Sequence, residues 1–176
     1  MKSKLKILLL LSPVVLNCST EPHFTNTPQI TFKGFNKYLL SAGNGVGKAK
    51  RDSLIITIGF KDGDGDLGND LPLTSLDSTR YIQTGGWGNY RIRTFRLENN
   101  QYKELSFSET NFLLFPQLSR KEKKGAIEGD LDLRQIYPYG TRYTLYPTKF
   151  RIQIRDRALN LSNEVETDTI HLAYSY

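Results

Sequence analysis

The 176-residue sequence predicts an all-β fold, an antiparallel β-sandwich of about seven strands. Three observations carry that prediction. Short runs alternate apolar and polar residues with a period of two. Glycine, proline, asparagine and aspartate punctuate those runs. No segment shows the apolar spacing of a helix of ten or more residues. Apolar residues make up 38% and charged residues 24%, which excludes full disorder, a collagen-like chain and a multi-span membrane protein. The single cysteine excludes a disulfide scaffold and any Cys-rich zinc site.

The elements follow in order. Pro28–Lys33 places Ile30 and Phe32 on one face. Ser53–Phe60 (SLIITIGF) is rich in β-branched residues, with Leu54, Ile56, Ile58 and Phe60 on one side. Asn89–Glu98 and Tyr102–Phe107 read as two arms of a hairpin turning at Asn99-Asn100. Ala126–Leu133 alternates acid with apolar, so Glu128, Asp130 and Asp132 share a face. Thr148–Arg155 puts Phe150, Ile152 and Ile154 inward and Lys149, Arg151, Gln153 and Arg155 outward. Glu164–Leu172 reads as the last strand. Such a succession argues for an immunoglobulin-like sandwich. Its excess length sits in two long loops, Gly34–Asp52 and Lys61–Gly88, and Leu118–Lys124 reads as a charged surface loop.

The N-terminus carries a different message. Lys2, Lys4 and Lys6 precede an apolar run from Ile7 to Leu16, too short to span a bilayer but suited to a secretory leader. The run ends in Val15-Leu16-Asn17-Cys18-Ser19, which resembles a lipobox, with the only cysteine at the acylated position. Asn17 departs from the small residue usual there. The expectation is a signal peptide over 1–17, a tether over 18–27 lipid-anchored at Cys18, and a sandwich domain over 28–176. Without its three leader lysines the chain holds 21 basic and 18 acidic side chains, a net +3, so charge gives little support to nucleic acid as a partner. Ser19 does not resemble an inner-membrane retention signal, which favours the outer membrane.

The strongest motif follows the strongest strand: Lys61-Asp62-Gly63-Asp64-Gly65-Asp66-Leu67-Gly68-Asn69-Asp70. Carboxylates about 6 Å apart at an effective dielectric near 20 repel by roughly 3 kcal/mol per pair, a penalty that a hard cation removes. Ca²⁺ accepts six to eight oxygens in flexible geometry, whereas Mg²⁺ tends to keep its water. This is no EF-hand, because Leu67 stands where that loop needs glycine and Leu73 where it needs glutamate. In an immunoglobulin-like order the second and sixth strands deliver their following loops to one end. Asp156 then joins Asp62, Asp64, Asp66 and Asp70 as a candidate ligand, with Asn160 beside it, or both residues serve only their own turn.

A strand entering DGDGDLG and a late strand entering IRDRALNLSN resemble small bacterial lipoproteins with an immunoglobulin-like or cadherin-like β-sandwich. Leu159 replaces a glycine common in the second motif. The resemblance implies a cell-envelope location and a binding or structural role.

Other features weigh less. Ala42–Lys50 fails as a phosphate loop, since Ala42 and Ala49 replace required residues. Trp87, flanked by glycines, reads either as a ligand-stacking aromatic or as a lid over the core. Arg91, Arg93, Arg151 and Arg155 form either a basic face or one neutralised by Glu164, Glu166 and Asp168. His23 and His171 lie near the chain ends, and no nucleophile elbow or zinc-protease pair appears. The expected function is a non-catalytic binding, adhesion or assembly module with a protein or glycan partner, stabilised by Ca²⁺ where the acidic loop holds the ion and not where it is a solvated Asp-Gly turn. The alternatives are a carboxylate-based envelope enzyme acting on glycan and a structural subunit pairing through a sheet edge.

Overall fold

The computed structural model describes residues 23–43, 49–106, 112–119 and 125–175. Two antiparallel sheets pack face to face. One has the order β1 (Gln29–Leu40), β2 (Arg51–Asp62) and β5 (Ile127–Pro138). The other has the order β4 (Gln101–Leu105), β3 (Tyr90–Glu98), β6 (Tyr143–Ile154) and β7 (Val165–Glu166), with β8 (Ile170–Ser175) also on β6. The alternation that marked β2 and β6 fills the space between them. Leu54, Ile56 and Ile58 from one sheet and Phe150, Ile152 and Ile154 from the other are fully buried. Such side chains each contribute about 1.5–3 kcal/mol.

The hairpin turns where expected. Asn99 and Asn100 both take left-handed φ, 49° and 61°, the pair of values a two-residue primed turn demands. Arg93 pairs with Glu104 and Glu164, and Arg151 and Lys149 pair with Glu166. The exposed face of that sheet is therefore largely neutralised. Among the described ion pairs Glu104 takes part and Asp168 does not. Exposed pairs of this kind add only tenths of a kcal/mol each.

Several expectations need correction. Eight strands replace seven, because Glu164–Leu172 is broken in two. Thr167 Oγ1 accepts from the Phe150 N–H at 3.0 Å, so a side chain takes over where the ladder would have continued. The first strand runs seven residues past Lys33, to Leu40. A bulge between Phe32 and Gly34 shifts its register and returns Phe35 to the core face opposite Ile56, which hides the period of two. About half of the expected first loop is thus strand. The second holds α1 (Ser75–Gln83), a helix just under the ten-residue threshold. Thr74 caps it, its hydroxyl accepting from the Asp77 N–H. Leu118–Lys124 lies mostly outside the described residues, as do positions 44–48 of the glycine-rich segment.

Arg155 and Gln153 were expected to face solvent and are buried, Arg155 at 1% exposure. The chain after β6 folds back on that strand: Ser162 Oγ accepts from the Ile154 N–H, and Gln153 Nε2 donates to the Ser162 carbonyl. That return covers the side chains at the end of β6.

Candidate metal centre

β2 ends at Asp62, whose side chain is fully buried. The chain then reverses tightly, and the Asp66 N–H donates to Asp62 Oδ2 at 3.0 Å. Gly65 and Gly68 take φ of 70° and 86°, values that favour glycine. At Gly68 a Cβ would also stand 2.1 Å from the Pro116 carbonyl oxygen. Between them Leu67 is fully buried and pins the loop to the core. The leucine that breaks the EF-hand pattern is therefore what holds this loop down.

β6 delivers the second half. Asp156 is fully buried, and its two carboxylate oxygens accept from the Asn160 N–H and Asn160 Nδ2, each at 2.8 Å. Asn160 thus serves its own turn. The two loops are stitched together: the Arg157 N–H and Nε both donate to the Asp66 carbonyl, and the Ala158 N–H donates to Asp66 Oδ2. One carboxylate oxygen each from Asp62, Asp66 and Asp156 gathers within 4.8 Å. The expected meeting of the second and sixth strands' loops is observed.

The electrostatics follow from this gathering. Asp62 Oδ1, Asp64 Oδ1 and Asp66 Oδ1 are buried and receive no hydrogen bond. Burial, then the charges of Asp64 and Asp66, push the Asp62 carboxyl up to about 7. Burial, then Asp156 and Asp64, push Asp66 up to about 6. Asp156 is also raised, mainly by burial, against the lowering effect of its bonds from Asn160. Uptake of protons or of a cation would relieve the repulsion in such a site. An all-oxygen donor set on two loops suits a hard divalent ion. Asp64 adds its charge and a third orphaned oxygen, while Asp70 is exposed and outside the three gathered carboxylates.

Residues that sequence reasoning passed over hold the loop from behind. Asn89 Nδ2 donates to Asn69 Oδ1 and to the Phe115 carbonyl, and Asn89 Oδ1 accepts from the Phe115 N–H. Tyr81, the buried residue of α1, donates to Asn69 Oδ1 at 2.6 Å. Traces of this were present: Thr74-x-x-Asp77 before Gly85-Gly86 marks a short capped helix, and Phe112-Leu113-Leu114-Phe115 is an apolar run that must find cover. Trp87 is held by the residue that follows β6 and by one from β3. The Arg155 guanidinium carbon lies 4.1 Å from its ring centroid and 4.4 Å from that of Tyr81. Arg91 sits against the same Trp87 ring at 5.0 Å.

Two depressions, about 460 and 620 Å³, lie on the outer face of the β1-β2-β5 sheet and between the sheets beside β3 and β5. Neither is lined by an aspartate of the cluster. Comparison with protein-family models, curated proteins and solved structures gives no match. Cys18 and the expected leader lie outside the described residues, among which no helix is long and apolar enough to cross a membrane.

Leu159 occupies a left-handed φ of 71° in the turn beside Asp156, at the position where the resembling motif has glycine. A left-handed leucine costs about 1–2 kcal/mol, partly offset by the greater chain entropy glycine loses. Leu159→Gly is therefore expected to leave stability unchanged or raise it by up to about 1 kcal/mol, and Leu159→Val to lower it. Urea denaturation reads both; a clear loss on Leu159→Gly would show that the side chain's packing outweighs the backbone.

Proposed function

We propose that this chain is a lipid-anchored, non-catalytic binding module of the cell envelope, an immunoglobulin-like sandwich whose loop end is stiffened by Ca²⁺. One observation carries the reading: three buried carboxylate oxygens without donors, on Asp62, Asp64 and Asp66, beside the buried Asp156. Without a cation each orphaned oxygen costs at least about 1–3 kcal/mol, more when charged. Asp62, Asp64, Asp66 and Asp156 are the residues to hold the ion, which supplies the positive charge that lets both loops keep one geometry. Ca²⁺ is preferred over Mg²⁺ because a ring of carboxylates on flexible loops suits its larger, more variable shell.

The strand order supports the immunoglobulin-like reading, since it pairs the second strand with the fifth and the third with the sixth. The lipobox resemblance at Cys18 supports the anchor. Calorimetric titration of the purified chain is expected to show saturable binding of one Ca²⁺, weaker binding of Mg²⁺, and no binding in Asp62→Asn. No heat at millimolar Ca²⁺ would refute the metal reading. Loss of lipid incorporation in Cys18→Ser tests the anchor separately.

A further inference from the structure

The chain enters the sandwich at the same end as the aspartate cluster. Phe24 and Thr25 lie along the acidic loop: the Gly63 N–H donates to the Thr25 carbonyl at 2.9 Å, and Lys61 Nζ sits 5.1 Å from the Phe24 ring centroid. A Cβ on Gly63 would stand 2.4 Å from the Phe24 carbonyl oxygen, so this close approach depends on glycine. β1 then starts at Gln29, opposite Lys61.

Covalent reach turns this contact into an orientation. Phe24 is six residues after Cys18, which even fully extended span at most about 22 Å. The twelve residues of β2 place the opposite end of the sandwich about 40 Å away. That far end bears exposed apolar side chains, Tyr38, Leu39 and Leu40 of β1, Ile136 of β5, and Tyr143 and Leu145 of β6. They are the side chains suited to entering a bilayer. A tether docked at the other end and only about half the sandwich's length cannot let the domain stand upright on that rim, and it keeps the cluster end within about 22 Å of the anchor.

Resting on the anchor reading above, we propose that the aspartate-cluster end is the surface that meets the lipid headgroups, while the apolar rim points away from the membrane. A divalent cation in the cluster suits that placement, because it offsets two of the negative charges on the four aspartates that an anionic headgroup layer would otherwise repel.

The test uses the full lipidated chain in vesicles of phosphatidylcholine and phosphatidylglycerol that carry a headgroup-labelled acceptor. Cys18 is the only native cysteine and is blocked by lipid, so one introduced cysteine takes the donor dye. Leu161→Cys marks the cluster end and Leu145→Cys the far end, both at exposed positions. Energy transfer is expected to be several-fold stronger from position 161 than from 145. Equal transfer, or stronger transfer from 145, overturns the proposed orientation. Vesicle flotation separates the two readings. If flotation requires Cys18 but transfer is equal, the orientation alone falls; if Cys18→Ser floats as well as the native chain, the anchor falls and takes the orientation with it.

Discussion

In chelator, the protein is expected to lose stability as pH rises from 5 to 8, and Ca²⁺ is expected to reverse that slope. The sign follows from the raised carboxyls. Asp62 titrates at about 7 and Asp66 at about 6 when folded, against 3.8 for an ordinary aspartate. Between about pH 4 and 7 the folded chain therefore binds more protons than the unfolded one, and stability falls with rising pH. For fully buried Asp62 the penalty above pH 7 is on the order of 4 kcal/mol, at about 1.4 kcal/mol per unit. The interacting carboxylates titrate as a set, so the transition is broad.

A bound cation displaces those protons, and its stabilisation grows as they leave. At a hundred times Kd it adds roughly 2.7 kcal/mol, several degrees in midpoint. Asp62→Asn should flatten the pH slope, stabilise the cation-free protein above pH 7 and abolish the Ca²⁺ response. Thermal unfolding across pH 5–8, with Ca²⁺, Mg²⁺ or chelator, reads all of this. A flat profile in chelator together with no Ca²⁺ effect at pH 8 would reduce the cluster to a turn.

Arg155→Met is expected to cost about 3–5 kcal/mol, roughly 10 °C in midpoint. Arg155 is 1% exposed and carries its charge into the protein without a described carboxylate partner. Nε donates to the Gly88 carbonyl at 2.7 Å, Nη1 to the carbonyl and hydroxyl of Thr84, and Nη2 to the Trp87 carbonyl. The rings of Tyr81 and Trp87 add cation–π attraction. Burial lowers the affinity of this guanidinium for its proton but does not neutralise it. Methionine would fill much of the space yet leave those acceptors without donors.

Arg155→Lys keeps the charge and loses the planar fork, so it should recover little. Because Trp87 is the only tryptophan, its emission should shift to the red in both variants. A loss under about 1 kcal/mol would mean that water replaces the guanidinium at no cost.

The strands that face one another across the core were legible because burial imposes a period of two. β2 and β6 put an apolar side chain inward at every second position, and no other structure satisfies that spacing over seven or eight residues. The Asn99-Asn100 turn and the glycine-spaced aspartates were legible for a similar reason, since both need backbone conformations that few residues accept. From strand order alone it followed that the loops after β2 and β6 share an end.

What remained was decided by contacts distant in sequence. The bulge before Gly34 restores the core face of β1 by breaking the very period that would have announced it. α1 is held by a cap and one buried tyrosine, so its short sequence carries almost no apolar stripe. Arg155 looks like a solvent-facing strand residue until Thr84, Trp87 and Gly88, about seventy positions away in sequence, offer their oxygens. Which aspartates converge was likewise a matter of packing. Local chemistry can mark a carboxylate as unusual, but only the folded core, by burying Leu67 and closing Arg157 and Ala158 onto Asp66, brings Asp62, Asp66 and Asp156 together and leaves the exposed Asp70 outside that group.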